Sequence, residues 1–303
     1  MSGDAVHTPL ELTRLAADHL RERGIENARL EAELLLAAVL GVKRLDLYLQ
    51  FERPLTEQEV AAYRAVVRRR AKREPYQYIV GEAHFRELVL AVDERVLIPR
   101  PETEQLVGEV LAWAVGRGAG LTALDVGTGS GAIALSLLRE GPFVRVVATD
   151  SSADALAVVR ENAGRLGLEA GLELRHGAGW AAVGAQERFD VVVSNPPYVP
   201  EGDFATLQPE VRDWEPRAAL LAGPRGVEVL EELVAEAAAH LVGGGLLALE
   251  VGLGQAREVA TRLAETGEFA PARIVEDHAG RERHVLAERL PLANRGEMGD
   301  HGA

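Results

Sequence analysis

Apolar residues in the first part of the chain recur at helical spacing, as in Leu12, Leu15, Ala16 and Leu20. Side chains three or four positions apart lie on one face of a helix, so a first helix is predicted to end near Gly24. Two further segments have helical length and residues that typically begin or end helices. They are residues 27–40, which end at Gly41, and residues 56–74, which begin with the capping-box pair Thr56 and Glu59 and end before Pro75.

The pattern changes between about residues 76 and 97, where short β-like runs replace the helical ones. Residues 76–80 read Tyr-Gln-Tyr-Ile-Val and residues 88–92 read Leu-Val-Leu-Ala-Val, on either side of Gly81. Short runs of aromatic and β-branched residues beside a glycine are typical of a hairpin. We therefore predict a β-hairpin that connects two domains.

From residue 121 onward, short apolar runs alternate with longer helical segments. The helical segments include residues 132–139, 153–166 and 226–241. Alternation of this kind predicts an α/β fold, with a mostly parallel sheet that is covered by helices on both faces. The predicted strands are residues 121–126, 144–149, 172–174, 190–193, 246–251, 273–275 and 284–287.

Composition restricts the classes of function. The chain has 303 residues, of which 47% are hydrophobic and 26% are charged, as in ordinary globular proteins. Its 33 Lys and Arg against 47 Asp and Glu give a net charge of −14, which disfavours a large nucleic-acid interface. There is no Cys, so disulfides, thiol nucleophiles and Cys-ligated metals are excluded. Neither a secretory leader nor a long apolar stretch is visible, so we expect a soluble cytoplasmic protein without membrane contact.

A glycine-rich sequence, Asp125-Val-Gly-Thr-Gly-Ser-Gly131, lies between a predicted strand and a predicted helix. Its glycines permit positive φ and a close approach of the backbone to a ligand. The next strand ends in Asp150, where an acid can accept hydrogen bonds from a ribose. The glycine spacing differs from that of the dinucleotide fingerprint, and a carboxylate at Asp125 suits a cationic ligand. S-adenosylmethionine, which carries an ammonium and a sulfonium, therefore fits better than NAD; a tight turn without a ligand is the alternative.

A second motif, Ser194-Asn-Pro-Pro-Tyr198, follows the predicted strand at residues 190–193. Its prolines fix their own φ and hold Asn195 extended at the C-terminal end of the sheet, where ligands bind in open α/β folds. Asn195 offers a carbonyl acceptor, and a proline-rich turn leaves backbone carbonyls without local donors. Two acceptors in a rigid frame can hold both hydrogens of a planar NH₂ group. The alternative is a structural turn with Tyr198 in the core.

Four more segments accompany these two motifs. They are PYQYIVG at 75–81, VLIPRPETE at 96–104, WEPRAAL at 214–220 and LEVG at 249–252. The glycine loop, the strand-ending acid and the NPPY sequence, in this order, resemble the amino-group methyltransferases that use S-adenosylmethionine. With the other segments the chain resembles the release factor glutamine methyltransferases, the family called PrmC or HemK, over nearly its whole length.

The resemblance implies a particular fold and domain organisation. Residues 1–75 would form an N-terminal helical domain that recognises the substrate, residues 76–97 a β-hairpin linker, and residues 98–290 the catalytic domain. That domain would be a seven-stranded, Rossmann-like class I methyltransferase whose last strand pairs antiparallel. Residues 291–303 are polar and Gly-rich, and we expect a disordered tail there.

The resemblance also implies an activity. It is the transfer of a methyl group from S-adenosylmethionine to the glutamine side chain in the Gly-Gly-Gln motif of class I peptide chain release factors, with S-adenosylhomocysteine as the product. Such an enzyme is a protein-(glutamine) N-methyltransferase that modulates translation termination. We expect release factors as partners, no direct contact with nucleic acid or membrane, no metal and a monomeric state.

In the family, Asn195 and the backbone carbonyl of Pro196 would hold the target amide, with Tyr198 packed beside it. Trp180 stands where the family often has an aromatic residue near the adenine, and Gly179 stands where related sequences usually have an acid. Arg100, Glu102 and Glu104 would help to form the pocket. The site residues so implied are Asn195, Pro196, Pro197 and Tyr198 for catalysis, and Gly127, Thr128, Gly129, Ser130, Gly131, Asp150, Trp180 and Asn195 for the cofactor.

Related activities remain open at this point. A ribosomal-protein glutamine could be the target, and so could the amino group of adenine in DNA, although the net charge of −14 disfavours a basic groove for DNA. A cofactor-binding scaffold without catalysis would require a broken acceptor loop, whereas the loop at Asn195 is intact. The basic run at residues 68–73 is either a solvated helix face or a docking surface for the release factor.

Overall fold

The structure, a computed structural model, describes residues 7–291. In chain order its helices are α1 (Pro9–Glu22), α2 (Ala28–Leu40), α3 (Arg44–Leu49), α4 (Glu57–Arg70), α5 (Tyr76–Val80), α6 (Pro101–Ala114), α7 (Ala132–Glu140), α8 (Ala153–Leu166), α9 (Pro209–Arg212), α10 (Glu228–Ala237) and α11 (Ala256–Thr266). Its strands are β1 (Glu82–Phe85), β2 (Leu88–Ala91), β3 (Leu121–Val126), β4 (Phe143–Asp150), β5 (Leu172–His176), β6 (Phe189–Ser194), β7 (Leu241–Glu250), β8 (Arg273–Glu276) and β9 (Glu282–Glu288).

The chain divides into two compact units. The first runs to Glu82 and also includes Leu207–Trp214, and the second comprises Ala83–Thr206 and the chain from Glu215 onward. The domain boundaries inferred from the sequence, after residues 75 and 97, stay a prediction. Of the expected tail, residues 292–303 lie outside the described residues.

The first unit is helical, as the sequence predicts for its N-terminal part. Leu20 and Leu35 are fully buried between its helices, and Tyr63 is 2% exposed. The predicted capping box is present at the start of α4. The backbone N–H of Glu59 donates to the hydroxyl of Thr56 at 3.2 Å, and the backbone N–H of Thr56 donates to the carboxylate of Glu59 at 2.8 Å. This reciprocal pair satisfies two donors that a helix N-terminus otherwise leaves free.

The sequence prediction was wrong at residues 76–80, which form helix α5 rather than a strand. The N–H of Ile79 donates to the carbonyl of Pro75 at 3.1 Å, and the N–H of Gly81 donates to that of Gln77 at 2.8 Å. Gly81 ends the helix with a φ of +80°. A short apolar run has no decisive period, so the proline and glycine at its two ends determine its conformation. The hairpin, formed by β1 and β2, begins after this glycine.

The basic run at residues 68–73 is mixed, because Arg68, Arg69 and Lys72 are exposed whereas Arg70 and Arg73 pair with the carboxylate of Glu210. Arg70 is 5% exposed, contacts the carboxylate of Glu31 and donates to the carboxylate of Glu210 at 2.9 Å. Arg73 donates to the second oxygen of Glu210 at 2.6 Å. Because Glu210 belongs to the segment that returns to the first unit, these arginines hold that segment in place.

Replacing Arg70 with alanine should therefore destabilise the protein. Removing one partner of a buried ion pair costs about 3–5 kcal/mol in free energy of unfolding, because the remaining charges lack a counter-ion. Arg68→Ala, at an exposed position of the same helix, is the matched control and should change stability by less than about 0.5 kcal/mol. Urea unfolding of the two variants compares them, and equal stabilities would show that the ion cluster contributes nothing.

The second unit contains a seven-stranded sheet in the order β5-β4-β3-β6-β7-β9-β8. Strands β3 to β7 pair in parallel, and β9 pairs antiparallel with both β7 and β8. The predicted strand at 121–126 has the bounds of β3 and the other six are present with shifted ends, whereas the predicted helix at 226–241 is shorter, as α10. The expected α/β class and the antiparallel last strand are confirmed.

Alternation along β6 shows how the sheet is covered. Val191 and Val193 pack in the core cluster that includes residues of α6 and α7, while Val192 packs in the cluster that includes residues of α10 and α11. All three side chains are at most 1% exposed. Burial on both faces is typical of parallel strands between two helical layers. The carboxyl ends of β3, β4 and β6 consequently meet at one edge, where their loops can form a site.

Candidate active site

A cavity of about 360 Å³ lies at the carboxyl ends of β3, β4 and β6, entirely within the second unit. Its walls come from the glycine loop after β3, from Asp150, from residues 177–179 and from Asn195 to Pro197. In open α/β sheets, ligands bind at this edge, where successive connections leave in opposite directions. The volume lies within the usual range of small-molecule and cofactor pockets.

The glycine loop and the predicted ribose acid are brought together, as the sequence predicts. Gly127 and Gly129 have φ of +73° and +58°, and no heavy atom lies within 4 Å of where either would carry a Cβ. The N–H of Gly129 donates to one carboxylate oxygen of Asp150 at 2.9 Å, and the N–H of Ser152 donates to the other at 2.8 Å. These two hydrogen bonds hold the Asp150 carboxylate beside the loop of Gly127 and Gly129, whose backbone has no side chains to cover it.

The third glycine has a packing role. Gly131 is not on the cavity wall; it precedes α7 with a φ of +83°. A Cβ there would lie 2.8 Å from Val159 Cγ1 and 3.1 Å from Leu135 Cδ1. Its missing side chain thus permits α7 and α8 to pack closely, and its expected contact with the cofactor stays a prediction. Thr128 and Ser130 do line the cavity.

Asp125 does not present a charge to the cavity, contrary to the argument made from the sequence. It is fully buried, and its Oδ2 accepts hydrogen bonds from the Thr128 hydroxyl at 2.7 Å and from the Ala134 N–H at 3.2 Å. Burial raises the pKa of Asp125 to about 7. Its side chain therefore fastens the loop to the first turn of α7, and it supplies no support for a cationic ligand.

The NPPY segment presents Asn195, Pro196 and Pro197 to the cavity. The side-chain amide of Asn195 donates through Nδ2 to the hydroxyl oxygen of Thr103 at 3.0 Å. Thr103 in turn donates to the buried carboxylate of Glu250 at 2.7 Å. Within residues 7–291, neither Asn195 Oδ1 nor the Pro196 carbonyl accepts a hydrogen bond. The two predicted acceptors therefore remain available to a ligand.

Tyr198 is not among the residues that line the cavity, and its expected place in the site stays a prediction. Its ring packs against the core beneath α10 and α11, and its carbonyl accepts from the Gln255 side chain at 3.1 Å. Burial raises the pKa of Tyr198 to about 12. The phenol consequently stays protonated at neutral pH and supplies no base. The Gln255 side chain also accepts a hydrogen bond from the Gly252 N–H at 2.8 Å. It therefore connects the NPPY loop to the segment that follows β7.

Trp180 is not among the residues that line the cavity, and its expected contact with adenine stays a prediction. It is 6% exposed, stacks on His240 with centroids 4.7 Å apart, and donates its indole N–H to the Glu232 carbonyl at 3.1 Å. The wall here consists of residues 177–179 and Glu232. A Cβ on Gly179 would lie 2.6 Å from Glu232 Oε1, so the carboxylate of Glu232 occupies the space that a side chain at 179 would need.

Three residues of the 96–104 motif were expected to form the pocket and do not line it. Arg100 donates to both oxygens of Glu215 at 2.7 Å, and the Glu104 carboxylate accepts from the Arg86 N–H at 3.1 Å. The backbone carbonyl of Glu102 accepts a hydrogen bond from Nε2 of the His284 ring at 3.0 Å. Because α6 begins within the motif, successive side chains point in different directions. The residues of this region that line the cavity are Arg95, Val96, Leu97, Pro99 and Thr103.

Among residues 7–291 no group of three or more His, Asp or Glu side chains could hold a metal ion. Over the same residues, no helix has the length and apolarity needed to span a bilayer.

Comparisons with known proteins decide the family. The model of the PrmC N-terminal domain matches residues 11–81, and that of the methyltransferase small domain matches residues 108–208. A "Release factor glutamine methyltransferase" from Geobacter sulfurreducens is 45% identical, over 88% of this chain and 92% of its own. This chain belongs to the release factor glutamine methyltransferase family. Another member, from Chlorobaculum tepidum, is 42% identical over 92% of this chain and 96% of its own.

The resemblance to the release factor glutamine methyltransferases inferred from the motifs is thus confirmed. A solved structure of a methyltransferase from Pyrococcus furiosus matches 68% of this chain and 90% of its own, with a TM-score of 0.50 and 20% identity. At that identity it supports the fold alone. The seven-stranded methyltransferase fold expected for this family is therefore also confirmed.

Proposed function

We propose that this protein methylates the side-chain amide nitrogen of the glutamine in the Gly-Gly-Gln motif of class I peptide chain release factors. The observation that carries the proposal is that Asn195 and Pro196 line the same cavity as the glycine loop, while within residues 7–291 neither Asn195 Oδ1 nor the Pro196 carbonyl accepts a hydrogen bond. A primary amide has two N–H donors in one plane, and the two acceptors match that pattern. The names of the relatives support glutamine as the target.

The cavity fits S-adenosylmethionine as the methyl donor. The bare backbone at Gly127 and Gly129 leaves room for a ligand in close contact, and the Asp150 carboxylate can accept hydrogen bonds from two ribose hydroxyls. When bound, the cofactor supplies an electrophilic methyl group on a sulfonium. Asp150 and the glycine loop would hold its nucleoside half.

Glu232 completes the cofactor site in this proposal. Its exposed carboxylate fills the space over Gly179 in the cavity wall, and residues 177–179 follow β5, the neighbour of the strand that carries Asp150. A base attached to a ribose at Asp150 would reach this wall. A carboxylate accepts hydrogen bonds only, so it can bind the amino group of adenine and would disfavour a carbonyl at the same position.

Glu232→Gln is accordingly expected to weaken binding of S-adenosylmethionine by about 10- to 100-fold, the value of one hydrogen bond to a charged group. Glu236→Gln, an exposed acid one turn further along α10, is the matched control and should bind normally. Titration calorimetry of both variants, repeated with the 6-oxo analogue of the cofactor, measures the effect. Equal selectivity for the amino over the 6-oxo form in Glu232→Gln and in the parent would rule out this contact.

The chain's own residues act by positioning the amide. An amide nitrogen is a poor nucleophile, because its lone pair is delocalised into the carbonyl. The Asn195 oxygen and the Pro196 carbonyl would accept hydrogen bonds from its two N–H groups and direct the nitrogen toward the methyl group. As the new N–C bond forms, the S–C bond to the methyl group would break, and the nitrogen would lose one of its two hydrogens as a proton to water. Alignment of reacting groups contributes up to about 7–11 kcal/mol in ideal intramolecular systems. The same acceptors stabilise the positive charge that develops on the nitrogen during transfer.

The first unit, whose residues 11–81 match the PrmC N-terminal domain, would recognise the release factor. We also propose that the enzyme is a cytoplasmic monomer that binds no nucleic acid directly.

A transfer assay with methyl-labelled S-adenosylmethionine tests the choice of substrate. Purified class I release factor, ribosomal proteins and DNA are offered separately to the protein. Label should enter the release factor and should be lost when its Gly-Gly-Gln glutamine is replaced by alanine. Label in ribosomal proteins or DNA, with none in the release factor, would overturn the proposal and identify the substrate class instead.

A further inference from the structure

A chain of three buried or half-buried polar groups runs from the core to the acceptor loop. Glu250, the last residue of β7, is 1% exposed and accepts a hydrogen bond from the Thr103 hydroxyl at 2.7 Å. Thr103, in the first turn of α6, is 3% exposed and accepts from Asn195 Nδ2 at 3.0 Å. Neither Thr103 nor Glu250 was assigned a role from the sequence.

The chemistry of these groups determines the direction of the chain. An ionised carboxylate can only accept hydrogen bonds, so the hydroxyl of Thr103 must use its single hydrogen to donate a hydrogen bond to Glu250. The hydroxyl oxygen is then available only as an acceptor, and it must receive its hydrogen bond from a donor. Asn195 can satisfy it with its NH₂ group and not with its carbonyl. The amide oxygen is thereby left for the cavity.

We propose that Glu250 and Thr103 are positioning residues that fix the side-chain amide of Asn195 with its oxygen toward the substrate. This inference rests on the proposed function, in which that oxygen accepts a hydrogen bond from the side-chain NH₂ group of the target glutamine. With the amide turned by half a rotation, its NH₂ group would face the NH₂ of the substrate, and two donors would meet. The orientation of the Asn195 side-chain amide thus decides whether the site can bind the target NH₂ group.

The same arrangement predicts a pH dependence. Burial raises the pKa of Glu250 to about 7. The charged groups nearby act in both directions, since Arg283 and Arg100 lower this pKa and Glu102 raises it. Tyr198 also faces the carboxylate, and His284 lies opposite Glu250 in the β7–β9 pair.

Protonated Glu250 can donate to Thr103, which frees the Thr103 proton for the Asn195 oxygen and removes the preference for one amide orientation. The active form is the ionised one, which is present above the pKa of Glu250. The turnover number should therefore be highest above about pH 7 and should fall as the pH drops through that value.

Two substitutions at Thr103 separate hydrogen bonding from packing. Thr103→Val has nearly the same shape without the hydroxyl and should lower kcat by about 10- to 100-fold through misorientation of Asn195. Its Kd for S-adenosylmethionine should stay within about twofold, which also shows that the cavity is folded. Thr103→Ser keeps the hydroxyl and should recover kcat to within about threefold of the parent. Equal kcat in Thr103→Val and the parent, or equal losses in the valine and serine variants, would overturn the inference.

Glu250→Gln provides the second test. Glutamine has similar size and no charge, so the decline of kcat between about pH 8 and about pH 6 should disappear. Asp125, whose pKa is also raised to about 7, is unchanged in this variant, and an acid limb that persists would overturn the assignment to Glu250. The proposed function fails separately, if the parent protein itself transfers no methyl group to the release factor at any pH.

Discussion

Asn195→Ala is expected to lower kcat for methylation of the release factor by about 100- to 1,000-fold, the usual effect of removing one group that stabilises a transition state. The variant loses the amide oxygen in the cavity wall, so one of the two target hydrogens has no acceptor and the nitrogen is no longer held in line. The glycine loop and Asp150 are unchanged. The Kd for S-adenosylmethionine should consequently stay within about threefold.

Single-turnover kinetics and titration calorimetry distinguish these two effects. Tyr198→Phe is the matched control, because Tyr198 belongs to the same motif but packs against the core rather than on the cavity wall. It should retain kcat within about threefold. Normal turnover in Asn195→Ala would eliminate the acceptor mechanism. An equal loss in turnover and in cofactor affinity would show that Asn195 acts on the cofactor instead.

Asp150→Ala should have the opposite profile and raise the Kd for S-adenosylmethionine by at least about 100-fold, since two hydrogen bonds to a charged group are lost. Hydrogen bonds to a charged group contribute about 1.5–3 kcal/mol each, and about 1.4 kcal/mol corresponds to a factor of ten. The substitution also releases the N–H groups of Gly129 and Ser152 that the carboxylate holds. Both losses act on the nucleoside half of the cofactor, so kcat at saturating cofactor should decline far less.

Asp154→Ala serves as the control for this change. Asp154 is an exposed acid in the first turn of α8, four residues further along the chain, and it does not line the cavity. Its variant should bind the cofactor like the parent. If Asp150→Ala binds normally as well, the ribose lies elsewhere, and the placement of the adenine beside Glu232 is then also wrong.

The sequence predicted those parts of the site that depend on residues close together in the chain. A glycine loop after one strand, an acid at the end of the next and a rigid NPPY turn after a third each follow from neighbouring residues. Because parallel strands end at the same edge, their convergence in one cavity could be predicted without coordinates. Gly127, Gly129, Asp150 and Asn195 accordingly lie where the motifs placed them.

Contacts between residues that are far apart in the chain could not be predicted from the sequence. Thr103 and Glu250 are separated by 147 residues, and Arg70 and Glu210 by 140. No spacing rule connects such positions, since their proximity depends on how helices pack against a sheet.

Individual side-chain directions could not be predicted for a related reason. Trp180 and Gly131 belong to segments that border the cavity, but the ring stacks on His240 and the glycine faces Val159. A motif locates a segment, whereas packing on its far side decides which of its residues reach the ligand. The helix at 76–80 shows the same limit, because its short apolar run is compatible with a helix or a strand until its ends are considered.

Mass spectrometry of a class I release factor after incubation with this protein and S-adenosylmethionine tests the central claim most directly. The account predicts that the peptide containing Gly-Gly-Gln gains the mass of one CH₂ group, and that fragmentation places it on the glutamine side-chain nitrogen. The gain should require the cofactor and should be nearly absent with Asn195→Ala. An unmodified glutamine, or a methyl group on another residue of the release factor, would contradict the account.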